Sequence, residues 1–191
     1  MESVKLPQII GITGRKFNGK DTLAEYLVEK YGYTQLSFAG PLKDICGILF
    51  GFDYEQLYGS EKETIDPRWN VTPRDMFQYV GTELFRNMMG KKIPDIDNNF
   101  WVKCLMERIN RIMKINPDCK IVISDVRFEN ELNAIKSLDN NITIRVTRPS
   151  MNKTTDTHES ELYIEKLNVD HDILNDGSLD DLYEKLNKLI K

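Results

Sequence analysis

The residues best suited to do chemistry in this chain are cations and carboxylates set beside glycine turns and strand ends. In QIIGITGRKFNGKDT, residues 8–22, Gly14 and Gly19 bracket four residues, and Lys20 follows directly. Glycines at this spacing let successive backbone N–H groups curl toward one point, and a lysine at the end reaches the outer oxygens of a phosphate chain. The regular pattern then has Ser or Thr to hold magnesium. Here Asp21 stands in that place and Thr22 follows, and both offer hard oxygen ligands. Gly14, Arg15, Asn18, Gly19, Lys20, Asp21 and Thr22 therefore form a candidate triphosphate site with metal ligands at Asp21 and Thr22. A glycine turn that only caps a helix is the plain alternative.

A second group of charges lies in KIVISDVRFENE, residues 120–131. Four apolar or small residues lead to Asp125, as in the strand-end acid that positions magnesium in phosphate-loop enzymes. Arg127 follows two residues later and Glu131 one turn beyond, placed to orient the arginine or bond a substrate. Asp125 as a simple helix cap is the competing reading. Lys43 follows a strand at Gly40-Pro41, where ligands of open parallel sheets collect. Arg74, Gln78, Thr82 and Arg86 recur every four residues and line one helix stripe, an anion-facing wall or a solvated surface. Trp101 begins its helix and reads as a core aromatic or a stacking platform. Arg148 precedes the polar SMNKTTDTHES, and Asn175 opens a turn. His158 and His171 make no metal site.

Positioning these groups takes a definite order of elements. The apolar run through Ile9, Ile10 and Ile12 predicts a strand buried on both faces, followed by a loop and the helix LAEYLVEKY. Further strands are predicted at Tyr33–Ala39, Lys120–Asp125, Asn141–Thr147 and HDILN, 171–175. Thr72 with Pro73 and Asp75 signals a helix start, and Met76, Phe77, Val80, Leu84 and Phe85 continue it. Another helix is expected from Asn99 to Ile115, and a last one with Leu179, Leu182, Leu186 and Ile190 inward. The polar stretch from Gly59 to Val71 reads as a mobile loop, and residues 148–162 as a lid.

The expectation is an α/β, three-layer phosphate-loop NTPase fold, with a five-stranded parallel sheet, helices on both faces and a lid segment. One domain spans 1–191, with a core near 5–50 and 117–191 and a helical substrate part near 51–116. The 26 basic and 30 acidic residues leave a formal charge of -4, which gives no bulk attraction to nucleic acid or anionic membrane. Three scattered cysteines, at 46, 104 and 119, suit a reducing compartment and form no zinc spacing. Without a signal peptide or long apolar span, a cytoplasmic protein is expected.

Taken in order, GRKFNGKDT, FAGPLKD, MFQYVGTEL, FWVK, SDVRFENE, VTRPSMNKTTDTH and NDGSLDDL resemble the deoxynucleoside monophosphate kinases of the bacteriophage type. The resemblance spans Ile9 to Leu182, and the Asp after the lysine is a point of agreement. It implies transfer of the γ-phosphoryl of ATP to a deoxynucleoside monophosphate, with Mg2+. By that match Gly19, Lys20, Asp21 and Thr22 address ATP. Gly14, Arg15, Asn18, Arg148 and Asn175 complete the expected donor set. Lys16, Lys43, Arg74, Gln78, Thr82, Trp101, Asp125, Arg127 and Glu131 would address the acceptor, and Lys20, Asp125, Arg127 and Arg148 the transfer itself. The phage proteins carry a long insertion before their GTEL-like segment, and this chain is short there, which leaves base choice and a homodimer open. A phosphomevalonate kinase-like enzyme and a GTPase-type binding switch are the rival readings.

Overall fold

The computed structural model describes residues 6–93, 96–149 and 163–191. The chain divides into two compact units: one runs to Ser37 and resumes at Ile109, and the other is Phe38–Arg108. The seams fall after the second strand and inside a long helix.

The first unit is built on five parallel strands, β1 (Ile9–Thr13), β2 (Thr34–Leu36), β3 (Ile121–Val126), β4 (Asn141–Thr147) and β5 (His171–Leu174), in the order β2-β3-β1-β4-β5. All five expected strands form. β2 is shorter than the predicted Tyr33–Ala39: at its start Tyr33 is buried with its hydroxyl donating to the Pro7 carbonyl at 2.6 Å, and beyond Leu36 the chain already turns at Phe38 and Ala39 into the helix that begins at Gly40. β1 is buried along its whole length, as its unbroken apolar run requires. Helices α1 (Lys20–Tyr31) and α8 (Leu179–Ile190) bury Leu23, Leu27, Leu182 and Leu186 against Ile10, Ile12, Val122 and Ile144. On the opposite face of β1, Ile135 of α7 (Glu129–Lys136) lies so close to Gly11 that an added Cβ would meet it at 2.9 Å. Three layers result. β1 lies between β3 and β4, so the crevice at the strands' carboxyl ends opens where the chain order switches sides.

The second unit holds α2 (Gly40–Phe50), α3 (Tyr54–Leu57), α4 (Pro73–Gln78), α5 (Gly90–Lys92) and the first half of α6 (Phe100–Ile115). Thr72 caps α4 by accepting from the Asp75 N–H, as its sequence signals. The expected continuous α-helix then changes character: Tyr79–Met89 is a π-helix with i→i+5 bonds. Eleven residues is long for this form, which usually appears as a single turn. The indole N–H of Trp101 takes the Gly81 carbonyl at 2.9 Å, and Leu42 packs where a Gly81 Cβ would stand, at 2.7 Å. A carbonyl drawn to a side chain is one way an α-helical ladder loosens.

The polar stretch 59–71 is pinned rather than open. Asp66 is 2 % exposed; its carboxylate receives Gln56 Nε2 at 2.7 Å and Arg68 Nη2 at 2.6 Å, while Arg68 Nη1 donates to Gly51. The Arg68 guanidinium holds the Asp66 carboxyl far below the usual carboxylate range, against the opposing effect of burial. Burial pushes the Cys46 thiol up to about 11, so it packs as an inert thiol with Phe52 and Val80. Of the segment expected to be a lid, 148–162, residues 150–162, with His158, lie outside the described residues. No helix among the described residues is long and apolar enough to cross a membrane.

Candidate active site

At the end of β1 the chain turns at Gly14, whose φ is +154°. A Cβ there would sit 2.5 Å from the Val146 carbonyl oxygen on β4, so only glycine brings the loop this close to the sheet. Asn18, almost fully buried, donates its side-chain amide to the same oxygen at 3.1 Å, and its N–H reaches the Arg15 carbonyl at 3.2 Å. Gly19 caps α1 at φ +102°, where a Cβ would meet Asn175 Nδ2 at 2.7 Å. That same Nδ2 donates to the Asn18 carbonyl at 2.9 Å. The loop is thus tied to β4 and to the turn after β5, with the N-terminus of α1 at its end.

Lys20 opens α1 and is 8 % exposed. Its ammonium lies 3.7 Å from Asp21 Oδ2, an ion pair longer than a hydrogen bond. Lys16, Phe17, Gly19, Lys20, Asp21 and Thr22 of the loop and helix start line a cleft of about 500 Å³ together with Arg148, Asn175 and the segment from Gly177 to Leu179. Most of the expected donor set meets here. Gly14 and Asn18 instead brace the loop from behind, and the Arg15 guanidinium turns to Glu165 Oε1 at 2.6 Å. Arg15 Nε and Asn18 Oδ1 are buried with no hydrogen-bond partner among the described residues. Arg145 pairs with Asp172 at 2.6 Å and donates to the Glu165 and Leu167 carbonyls, which fixes the turn that bears Glu165.

β3 carries the second group. Gly11 pairs with Ile123 but Thr13 with Val126, so β3 has one extra residue at Ser124–Asp125. Such a bulge re-aims a strand end. The Thr13 hydroxyl donates to the Val126 carbonyl at 2.6 Å, and Gln35 donates to the Ser124 hydroxyl at 3.0 Å. Asp125 and Arg127 are half-buried here. Glu131 is 3 % exposed and accepts the N–H groups of Arg127, at 2.8 Å, and Phe128, at 3.2 Å. It thereby caps α7 and orients Arg127 through the backbone.

The expected contacts in the helical unit are engaged with neighbours there. Lys43 Nζ lies 4.3 Å above the Tyr58 ring, and Arg74 Nε donates to Glu63 at 2.5 Å. Gln78 is exposed and Thr82 half-buried. Trp101 is 5 % exposed, wedged between Phe85 and Phe100 with its N–H taken by Gly81. This is the core-aromatic placement. Leu179, expected to pack inward, is 56 % exposed at the first turn of its helix and lines the cleft instead; Phe17, Ser178 and Glu165 carry no site role in the sequence reading. Phe17 was visible inside the loop, whereas nothing in the sequence links Glu165 to Arg15.

Residues 49–186 match the family described as deoxynucleotide monophosphate kinase. A protein of Acanthamoeba polyphaga mimivirus bearing that name is 38 % identical over 182 residues, 93 % of each chain. This chain belongs to the deoxynucleotide monophosphate kinase family. The family member from Enterobacteria phage T4 is 25 % identical, covering 96 % of this chain and 99 % of its own. That alignment runs over 240 positions, more than the 191 residues here, so part of the phage kinase has no counterpart in this chain. Among solved structures, dephospho-CoA kinase from Campylobacter jejuni is 18 % identical, with a TM-score of 0.51 and coverage of 96 % of this chain and 95 % of its own. Shikimate kinase from Aquifex aeolicus vf5 is 16 % identical, with a TM-score of 0.50 and 95 % of both chains covered. Both show the phosphate-loop kinase fold. The family match begins at residue 49, downstream of Gly14–Lys20, so that match does not itself draw on the loop residues.

Proposed function

We propose that this kinase transfers the γ-phosphoryl group of ATP to deoxynucleoside monophosphates and releases the diphosphates, with Mg2+. The observation that supports it most is the glycine-built loop at the start of α1 with Lys20 nearly buried in its cleft. A helix start and inward N–H groups suit an anion. The donor set also fits the metal, because Mg2+ takes one or two protein oxygens and completes its shell with phosphates and water. Asp21, 69 % exposed at its side chain, and Thr22 supply such oxygens at the cleft wall. When bound, Mg2+ neutralises charge on the β- and γ-phosphates.

Phosphoryl transfer asks the protein mainly for alignment and cancellation of charge. Lys20 holds the outer donor phosphates and Arg148, at the cleft, meets the group in flight. Arg127, steadied through Glu131, takes the acceptor phosphate, with Asp125 beside it. Lys16 of the loop, with Lys43, Arg74, Gln78 and Thr82, belongs to the acceptor side of this reading. Its partners are free nucleotides in the cytoplasm, and a homodimer would show as twice 22.2 kDa in light scattering.

One coupled assay of ADP release tests the reading, run with dGMP, dTMP, dCMP, dAMP, their ribose forms and mevalonate phosphate. Stimulation by one or more deoxynucleoside monophosphates is expected. Preference for mevalonate phosphate, or slow hydrolysis that no acceptor stimulates, overturns it.

A further inference from the structure

Within the phosphate loop one residue is held against its own stability. Phe17 has φ +67°, a left-handed conformation that a bulky side chain enters at a cost and that glycine or asparagine enters readily. It is also 60 % exposed, so its ring gains little from burial. Neither the backbone nor the packing favours phenylalanine here. Its ring does have one close contact: the Lys16 ammonium lies 5.1 Å from the ring centroid, within the range of a cation–π interaction. Both residues line the cleft that holds Lys20, Asp21 and Arg148.

We propose that Phe17 is a positioning residue whose ring supports the Lys16 ammonium at the mouth of the phosphate cleft. Lys16 itself is exposed on a flexible stem, and without the ring its charge would spread over many rotamers. Held there, it faces the region where charge moves during transfer. The bond from the γ-phosphorus to the ADP oxygen breaks, a bond to an oxygen of the acceptor phosphate forms, and ADP leaves with the electron pair. This inference rests on the kinase reading of the same cleft.

The test compares Phe17→Gly, Phe17→Ala and Phe17→Tyr with the unaltered kinase, alone and with Lys16→Ala. Phe17→Gly should raise Tm, because it relieves the left-handed strain, yet lower acceptor-dependent turnover by roughly threefold to fivefold, the scale of an exposed cation–π contact. Phe17→Tyr, which keeps a ring, should stay within about twofold. In the Lys16→Ala background, Phe17→Ala should change turnover by less than about twofold, since the contact is already gone. Unchanged turnover in Phe17→Gly, or multiplying losses in the double variant, overturns the role. If the unaltered chain phosphorylates no monophosphate at all, the kinase reading fails and this inference falls with it; if it does so and Phe17→Gly matches it, only the inference fails.

Discussion

The sheet unit and the helical unit use charge differently. In the first, backbone geometry makes the site: Gly14 and Gly19 hold a loop that side chains could not form, and Lys20 and Arg148 stand around it. In the second, cations at the positions expected to face an acceptor lean on neighbours, Arg74 on Glu63 and Lys43 on Tyr58. A site built from backbone is fixed when the fold is fixed. Side-chain pairs on a surface are worth about 0–1 kcal/mol and exchange partners readily, so an anion can displace them at little cost.

The first way to break this contrast is Lys20→Ala. Removing a cation that acts mainly in the transition state costs about 3 kcal/mol, roughly a hundredfold in turnover. Lys20 forms only a long ion pair with the exposed Asp21, so the variant should keep its circular dichroism and Tm. Near-normal turnover would remove the loop from the mechanism.

Gly14→Ala tests the backbone half of the argument. The new Cβ would lie 2.5 Å from a backbone oxygen at φ +154°, and neither can yield cheaply. A loss of about 2–3 kcal/mol, or roughly 5–10 °C in Tm, is expected, together with a raised KM for ATP. An alanine variant with unchanged Tm and KM would show that the loop is not glycine-dependent.

In the helical unit the corresponding test is Asp66→Asn, which leaves Arg68 without its carboxylate partner. The folded carboxyl is held well below its ordinary value of 3.8, chiefly by Arg68. Because the folded state favours the ionised form, this stabilisation is complete above that ordinary value and fades as pH falls below it. The Tm gap between wild type and Asp66→Asn should therefore be constant near neutrality and narrow below about pH 4. KM for ATP should not move; a shift would mean that the two units are not separable in this way.

How far the sequence disclosed these units follows from what each rests on. A strand buried on both faces must be apolar throughout, and a phosphate turn needs glycine at both ends, so β1, the loop and α1 are visible in Gln8–Thr22. Asp125 and Arg127 are visible as charges at a strand end, but the bulge that turns them depends on pairing with Thr13. The helical unit discloses less. Met76, Phe77, Val80, Leu84 and Phe85 satisfy an α-helical period, and the loosening at Gly81 needs Trp101, twenty residues on. The Asp66 anchor likewise depends on Gln56 and Gly51, which a linear pattern does not associate with it.

The smallest expected effect sharpens the contrast most, because Arg15–Glu165 is a side-chain pair inside the backbone-built unit. Glu165 is 64 % exposed at its side chain and Arg15 22 %, so the pair at 2.6 Å should contribute about 0.5 kcal/mol. Glu165→Gln should accordingly move Tm by roughly 1–2 °C. The turn bearing Glu165 is held by Arg145 through backbone carbonyls, which the substitution leaves in place. If the loop is fixed by Gly14, Asn18 and Asn175, KM for ATP changes by less than about twofold, as for an exposed ion pair. A tenfold rise in that KM with an unmoved Tm would instead make Arg15–Glu165 a brace of the donor site, and the division between backbone and side-chain charge would no longer follow the boundary between the units.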